Sequence, residues 1–147
     1  ALDFGAGMGR NCDYLKKEFQ AVTAFDTHEM VENLNKTGKN YNFISSEWSE
    51  IEHRRFDLIY ECTVFQHMPP QEVLYRLMQM KFVTSYLYMT TRTYNDMFRQ
   101  SGQGGVNILK LIDSLNSWDL VDISIDEEEA RKSMDETHYS MLWKVRS

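Results

Sequence analysis

The chain has 147 residues, 42% of them hydrophobic and 26% charged, with a net charge of −6. That suits one domain with a proper core and an ordinary soluble composition. The acidic balance disfavours a nucleic-acid backbone as partner, no apolar run approaches the roughly 18–20 residues of a membrane span, and no signal-peptide pattern is visible.

Elements alternate along the chain. Ala1–Phe4 reads as a strand and Asn11–Phe19 as a helix with Cys12, Leu15 and Phe19 on one stripe. Ala21–Phe25 is a second strand, and Thr27–Lys36 a helix with Gly38 as its stop. Tyr41–Ser45 is a third strand, followed by a short helix or turn over Glu47–His53. Phe56–Tyr60 is a fourth strand. Pro69 and Pro70 then open a helix to Met80, with an apolar face of Val73, Leu74, Leu77 and Met78. Phe82–Thr90 is a fifth strand, Thr91–Gly105 a polar loop and Val106–Leu115 a helix. Trp118–Ile125 and Tyr139–Val145 are two late strands.

This alternation predicts an α/β fold with helices on both faces of a parallel sheet. Between the late strands, Asp126–Glu136 carries eight charged side chains and two apolar ones. Such a segment can join antiparallel neighbours but cannot cover a parallel crossover. The expectation is a single domain over residues 1–147, with a mostly parallel sheet and one antiparallel strand near its end.

Cys12 and Cys62 lie far apart, and His28, His53, His67 and His138 lack zinc-site spacing. No protein-bound metal is expected, and a reduced, cytoplasmic compartment is. Three sites fall at the carboxyl ends of consecutive strands, the edge where open α/β sheets bind ligands. They are the turn Gly5-Ala6-Gly7-Met8-Gly9, Asp26, and Ser46-Glu47-Trp48.

Asp26 stands 21 residues after Gly5, where an acid can accept the hydroxyls of a ribose. It also precedes a helix and can equally serve as its N-cap. The dinucleotide fingerprint requires GxGxxG, whereas this turn is GxGxG with Arg10 in the last place. Asp3, just before the turn, would repel a diphosphate and favour a cationic nucleoside such as an ammonium or sulfonium.

With these residues in place, the chain resembles the class I S-adenosylmethionine-dependent methyltransferases of small molecules. Asp3-Phe4-Gly5-Ala6-Gly7-Met8-Gly9 is similar to that family's first motif, and Asp26 to its ribose-binding acid. Glu47 with Trp48 stands where the family contacts adenine. Phe56-Asp57-Leu58-Ile59-Tyr60 and Val64-Phe65-Gln66-His67-Met68-Pro69 resemble its fourth strand and the segment after it.

The resemblance implies a Rossmann-like three-layer α/β/α fold with seven strands. It implies cofactor contacts from Asp3, Gly5, Ala6, Gly7, Asp26, Thr27, Glu47, Trp48, Glu61 and Cys62. It also implies direct in-line transfer of the sulfonium methyl to a small-molecule acceptor, leaving S-adenosylhomocysteine, with catalysis mainly by positioning.

His67 is the candidate general base, or else a structural histidine bonding a loop. Cys62 sits in Glu61-Cys62-Thr63, not the proline-cysteine pair of cytosine methylation, which points to a pocket wall. The Asn-Pro-Pro-Tyr segment of nucleic-acid amino methyltransferases is absent as well. Arg10 reads as a solvated first-turn residue, and Glu127-Glu128-Glu129 as a solvated loop. Tyr94, Met97 and Phe98 are either substrate contacts or core.

Members of the family usually carry helices before the first strand. This sequence begins at that strand, which implies either a fragment or a reduced version with an open pocket, and an exposed sheet face that a second subunit would cover. Two other functions compete: a non-catalytic cofactor-binding module of the same fold, and a nicotinamide-dependent oxidoreductase. Asp3 and the GxGxG spacing count against the latter.

Overall fold

A computed structural model describes residues 1–94, 116–125 and 136–146. Seven strands form one sheet in the order β3-β2-β1-β4-β5-β7-β6. They are β1 (Leu2–Phe4), β2 (Thr23–Phe25), β3 (Phe43–Ser45), β4 (Phe56–Cys62), β5 (Thr84–Tyr94), β6 (Trp118–Ile125) and β7 (Glu136–Val145). The first five run parallel, and β7 lies antiparallel between β5 and β6. The expected seven-stranded, mostly parallel architecture is therefore present. The switch in winding direction between β1 and β4 opens a crevice at their carboxyl ends.

Three helices are described, α1 (Arg10–Glu18), α2 (His28–Lys36) and α3 (Pro70–Met80). Side chains of β1 divide between the two faces of the sheet. Leu2 and Phe4 join Ile59, Leu87 and the buried Val73, Leu77 and Met80 of α3. Ala1 joins Val22, Ala24, Cys12, Leu15 and Leu34 on the face covered by α1 and α2. This is the three-layer arrangement that the alternating pattern predicts. The spacing of Val73, Leu77 and Met80 by four and three residues aligns them on one helical stripe. Met78, expected on that stripe, is instead 58% exposed, because Met80 takes the buried phase.

Several boundaries differ from expectation. β2 and β3 each begin two residues later, and the helix over 47–53 is a single 3-10 turn, Trp48–Glu50. The largest change is in β5, which continues to Tyr94, so Thr91–Tyr94 is strand and not loop. Its partner β7 starts at Glu136, and their ladder runs from Tyr86 opposite Lys144 to Tyr94 opposite Glu136. β4 stops pairing at Cys62 opposite Thr90. The extension is thus a two-stranded antiparallel ribbon held by main-chain bonds.

Gly38 ends α2 as expected, with φ +69° just past the C-cap Thr37. The expected helix 106–115, the loop positions Met97 and Phe98, and Glu127–Glu129 lie outside the described residues.

Candidate functional site

The glycine turn is pinned over the end of β2. Gly5 N–H and Ala6 N–H both donate to the carbonyl of Phe25, at 2.8 and 3.1 Å. Gly5 has φ +84°, and a Cβ there would stand 2.0 Å from Val64 Cγ2. Only glycine lets the turn after β1 and the turn after β4 approach so closely. Gly9, with φ +79°, is braced from below in the same way, for its carbonyl accepts the Tyr41 hydroxyl at 3.0 Å. Lys39 Nζ adds bonds to the Met8 carbonyl at 3.1 Å and to Asp13 at 2.6 Å.

Asp26 closes the next side. Its Oδ2 accepts Gly7 N–H and its Oδ1 accepts Thr27 N–H, each at 2.7 Å. The N-cap of α2 is Thr27, not Asp26. The carboxylate is therefore turned toward the glycine turn, and the capping alternative fails. Each carboxylate oxygen has about two acceptor sites, so one on each remains for an incoming hydroxyl.

A cleft of about 550 Å³ opens here, lined by Phe4, Gly5, Phe25, Asp26, Thr27 and Ser46 on one side. Cys62, Thr63, Val64, His67, Met68, Glu72 and Arg76 line the other. Its size falls within the usual range for small-molecule sites. Among the described residues no cluster of three metal-ligating side chains exists.

The fold thus brings Gly5, Asp26, Thr27, Cys62 and His67 of the expected set together in one cleft. Ala6 and Gly7 shape it through their backbone bonds. Four others stand back from it. Asp3 is fully buried beneath the turn, where its Oδ2 accepts the Cys12 thiol at 3.1 Å and its Oδ1 has no partner among the described residues. Burial pushes its pKa up to about 6, and burial beside Asp3 pushes the Cys12 thiol up too. Glu47 is exposed outside the lining, with Ser46 in its place. Trp48 is 7% exposed and packs edge-on against Phe25, with ring centroids 5.8 Å apart.

Glu61 is the fourth. Its side chain is fully buried, and Oε1 accepts the N–H groups of Val64 and Phe65. Oε2 has no partner among the described residues. Burial raises its pKa to about 7, against the opposing pull of the two amides. Its role is to shape the turn after β4, where Thr63 takes φ +61°, unusual for a β-branched residue. That turn delivers Val64 onto Gly5.

His67 lies at the mouth, exposed, with its N–H donating to the Val64 carbonyl at 2.9 Å. Its Nε2 is 3.1 Å from the Gln66 amide nitrogen. Cys62 Sγ accepts the Thr90 hydroxyl at 3.2 Å, as a pocket-wall residue would. Arg10 is exposed at the start of α1.

Thr63, Val64, Met68, Glu72 and Arg76 were not singled out from the sequence as lining residues. A signal for two of them existed. Pro69-Pro70 starts α3 beside the carboxyl end of β4, and Glu72 and Arg76, four apart, share one stripe of it.

The fit to the S-adenosyl nucleoside is good. Asp26 retains acceptor capacity, the turn presents bare backbone, and the cleft is of suitable size.

Comparisons with known proteins agree. No curated protein matches the chain in sequence. Among solved structures, the [4+2]-cyclase SpnF superposes with a TM-score of 0.76 at 12% identity, over 98% of this chain and 73% of that one. A magnesium protoporphyrin IX methyltransferase from Synechocystis, solved with bound S-adenosylmethionine, gives 0.67 at 14% identity, over 99% and 69%. A pericyclic reaction enzyme gives 0.67 at 11% identity over 99% of this chain, which spans only 42% of that protein's length. At such identities the likeness is one of fold. The model of the methyltransferase domain family matches residues 1–84, more than half of the chain. The chain therefore belongs to the methyltransferase domain family, which draws its methyl group from S-adenosylmethionine.

Proposed function

We propose that this chain binds S-adenosylmethionine in the cleft between the turns after β1 and β4 and directs its methyl group, in line, to a small-molecule acceptor. The observation that carries this reading is Asp26. Both its oxygens are held by backbone amides of the two segments that would flank a ribose, yet each keeps spare acceptor capacity, and Asp26 lines the cleft. The glycine turn supplies the close backbone approach, and Thr27 and Val64 supply walls. Cys62 and Thr63 border the end where an acceptor would meet the methyl group.

When bound, the cofactor supplies an electrophilic sulfonium methyl, so the chain's part is to orient and to exclude water. His67, exposed and in the lining of the cleft, is the residue that would take a proton from a hydroxyl acceptor. Asp3, buried beneath the turn, adds negative charge on the sulfonium side without touching the ligand. Ala6, Glu47, Trp48 and Glu61 act from behind the lining.

The acidic net charge supports an acceptor other than nucleic acid. Among the described residues no helix is long and apolar enough to cross a membrane. A single domain, a cytoplasmic location and association into a homo-oligomer complete the proposal.

A second reading is favoured by the two pericyclic neighbours. The same fold could hold the cofactor without transferring its methyl group. Thermal denaturation with S-adenosylhomocysteine and with NAD tests the shared premise. The melting temperature should rise with the first at millimolar ligand and not with the second. No rise with S-adenosylhomocysteine would remove the cofactor assignment. Methyl transfer to candidate acceptors then separates catalysis from binding.

A further inference from the structure

We infer that Arg76 reads the purine base, as a specificity-determining contact at the nucleobase end of the cleft. The inference rests on the cofactor reading above. Arg76 lines the cleft from the second turn of α3. Its guanidinium carbon lies 5.7 Å from the Trp48 ring centroid, and Trp48 in turn packs on Phe25. Nη1 donates to Gln79 Oε1 at 3.0 Å. These two contacts orient the guanidinium plane.

Its hydrogen-bonding capacity is nonetheless largely unspent. A guanidinium has five donors and no acceptor. Among the described residues only the bond to Gln79 uses one, and Nε is buried without an acceptor. Glu72, one turn earlier, also lines the cleft but makes no ion pair with Arg76 among the described residues. An under-satisfied, pre-oriented donor fork calls for a ligand with acceptors in a plane.

Position selects which part of the ligand that is. Asp26, at the end of β2, marks the ribose. The glycine turn, at the end of β1, lies on one side of it. Arg76 lines the same cleft over the Trp48 that follows β3, and Trp48 packs on Phe25 at the end of β2. A nucleoside anchored at Asp26 with its amino-acid arm along the glycine turn must point its base toward Arg76. Adenine offers ring nitrogens there as in-plane acceptors for the guanidinium N–H groups.

The test uses calorimetry with S-adenosylhomocysteine and, by competition, adenosine, which lacks the amino-acid arm. Arg76→Met should weaken both ligands by the same factor, about tenfold or more, as loss of a charge-assisted bond implies. Arg76→Lys keeps the stem and the charge but not the planar fork, and should weaken both by a smaller factor. It carries the test if circular dichroism shows the methionine variant unfolded. Unchanged affinity for both ligands would overturn the inference. So would a loss confined to S-adenosylhomocysteine, which would place Arg76 at the amino-acid arm. Failure of the unmodified protein to bind S-adenosylhomocysteine would instead remove the cofactor reading itself.

Discussion

Glu61→Gln tests how the turn after β4 is held. The Glu61 carboxyl is fully buried, and its pKa is raised from 4.5 to about 7. Folding therefore favours the protonated form. Its stabilising contribution is fully present below pH 4.5 and is lost as pH rises through about 7. At about 1.4 kcal/mol for each tenfold change in proton affinity, the loss amounts to about 3 kcal/mol by pH 8. Asp3, raised from 3.8 to about 6, adds its own fall over a lower range that overlaps that of Glu61. Glutamine keeps an oxygen for the Val64 and Phe65 amides and cannot ionise. Urea denaturation from pH 4 to pH 8 should show the unmodified protein losing stability between about pH 4.5 and about pH 7, and the variant losing less over that range. The lower-pH fall due to Asp3 should persist in both. The absolute offset between them includes an unpaired amide N–H, worth about 1–3 kcal/mol, so the difference in slope is the readout. Parallel curves for the two proteins would refute the reasoning.

Gly5→Ala should cost about 2–5 kcal/mol, from a side chain at φ +84° and a clash with Val64. Adding Val64→Ala should restore the part due to the clash. If denaturation shows the double variant no more stable than the single one, the close approach is not the cause. Asp26→Ala should weaken S-adenosylhomocysteine by about 1.5–3 kcal/mol, and unchanged affinity in a folded variant would assign Asp26 to loop structure alone. His67→Ala should cut methyl transfer to a hydroxyl acceptor about 100-fold or more. Unaltered turnover would leave His67 a structural residue.

The elements that set the site were legible because their physics is local. Alternating apolar strands and the turn glycines announced the sheet edge, and the acid expected at the end of β2 lines the cleft there. What stayed hidden depends on long-range packing. Trp48 reads as a base contact from its place after β3, yet its large ring is worth more against Phe25 in the core, which leaves the lining to Arg76 and Ser46. The resemblance makes Glu61 a cofactor contact, but backbone amides of the next turn donate to its carboxylate. The ribbon of β5 and β7 escaped notice because threonine and arginine look like loop residues until a partner strand is known.

The contact between Gly5 and Val64 has a consequence for the order of assembly. The two residues are far apart in sequence and meet only once β4 has docked beside β1. The cleft is therefore a long-range feature that forms late, after the local helices and turns. A nucleoside ligand should bind the finished chain and hardly its precursors. It should slow unfolding far more than it speeds folding, so a ligand that dissociates slowly would act as a latch on the completed sheet.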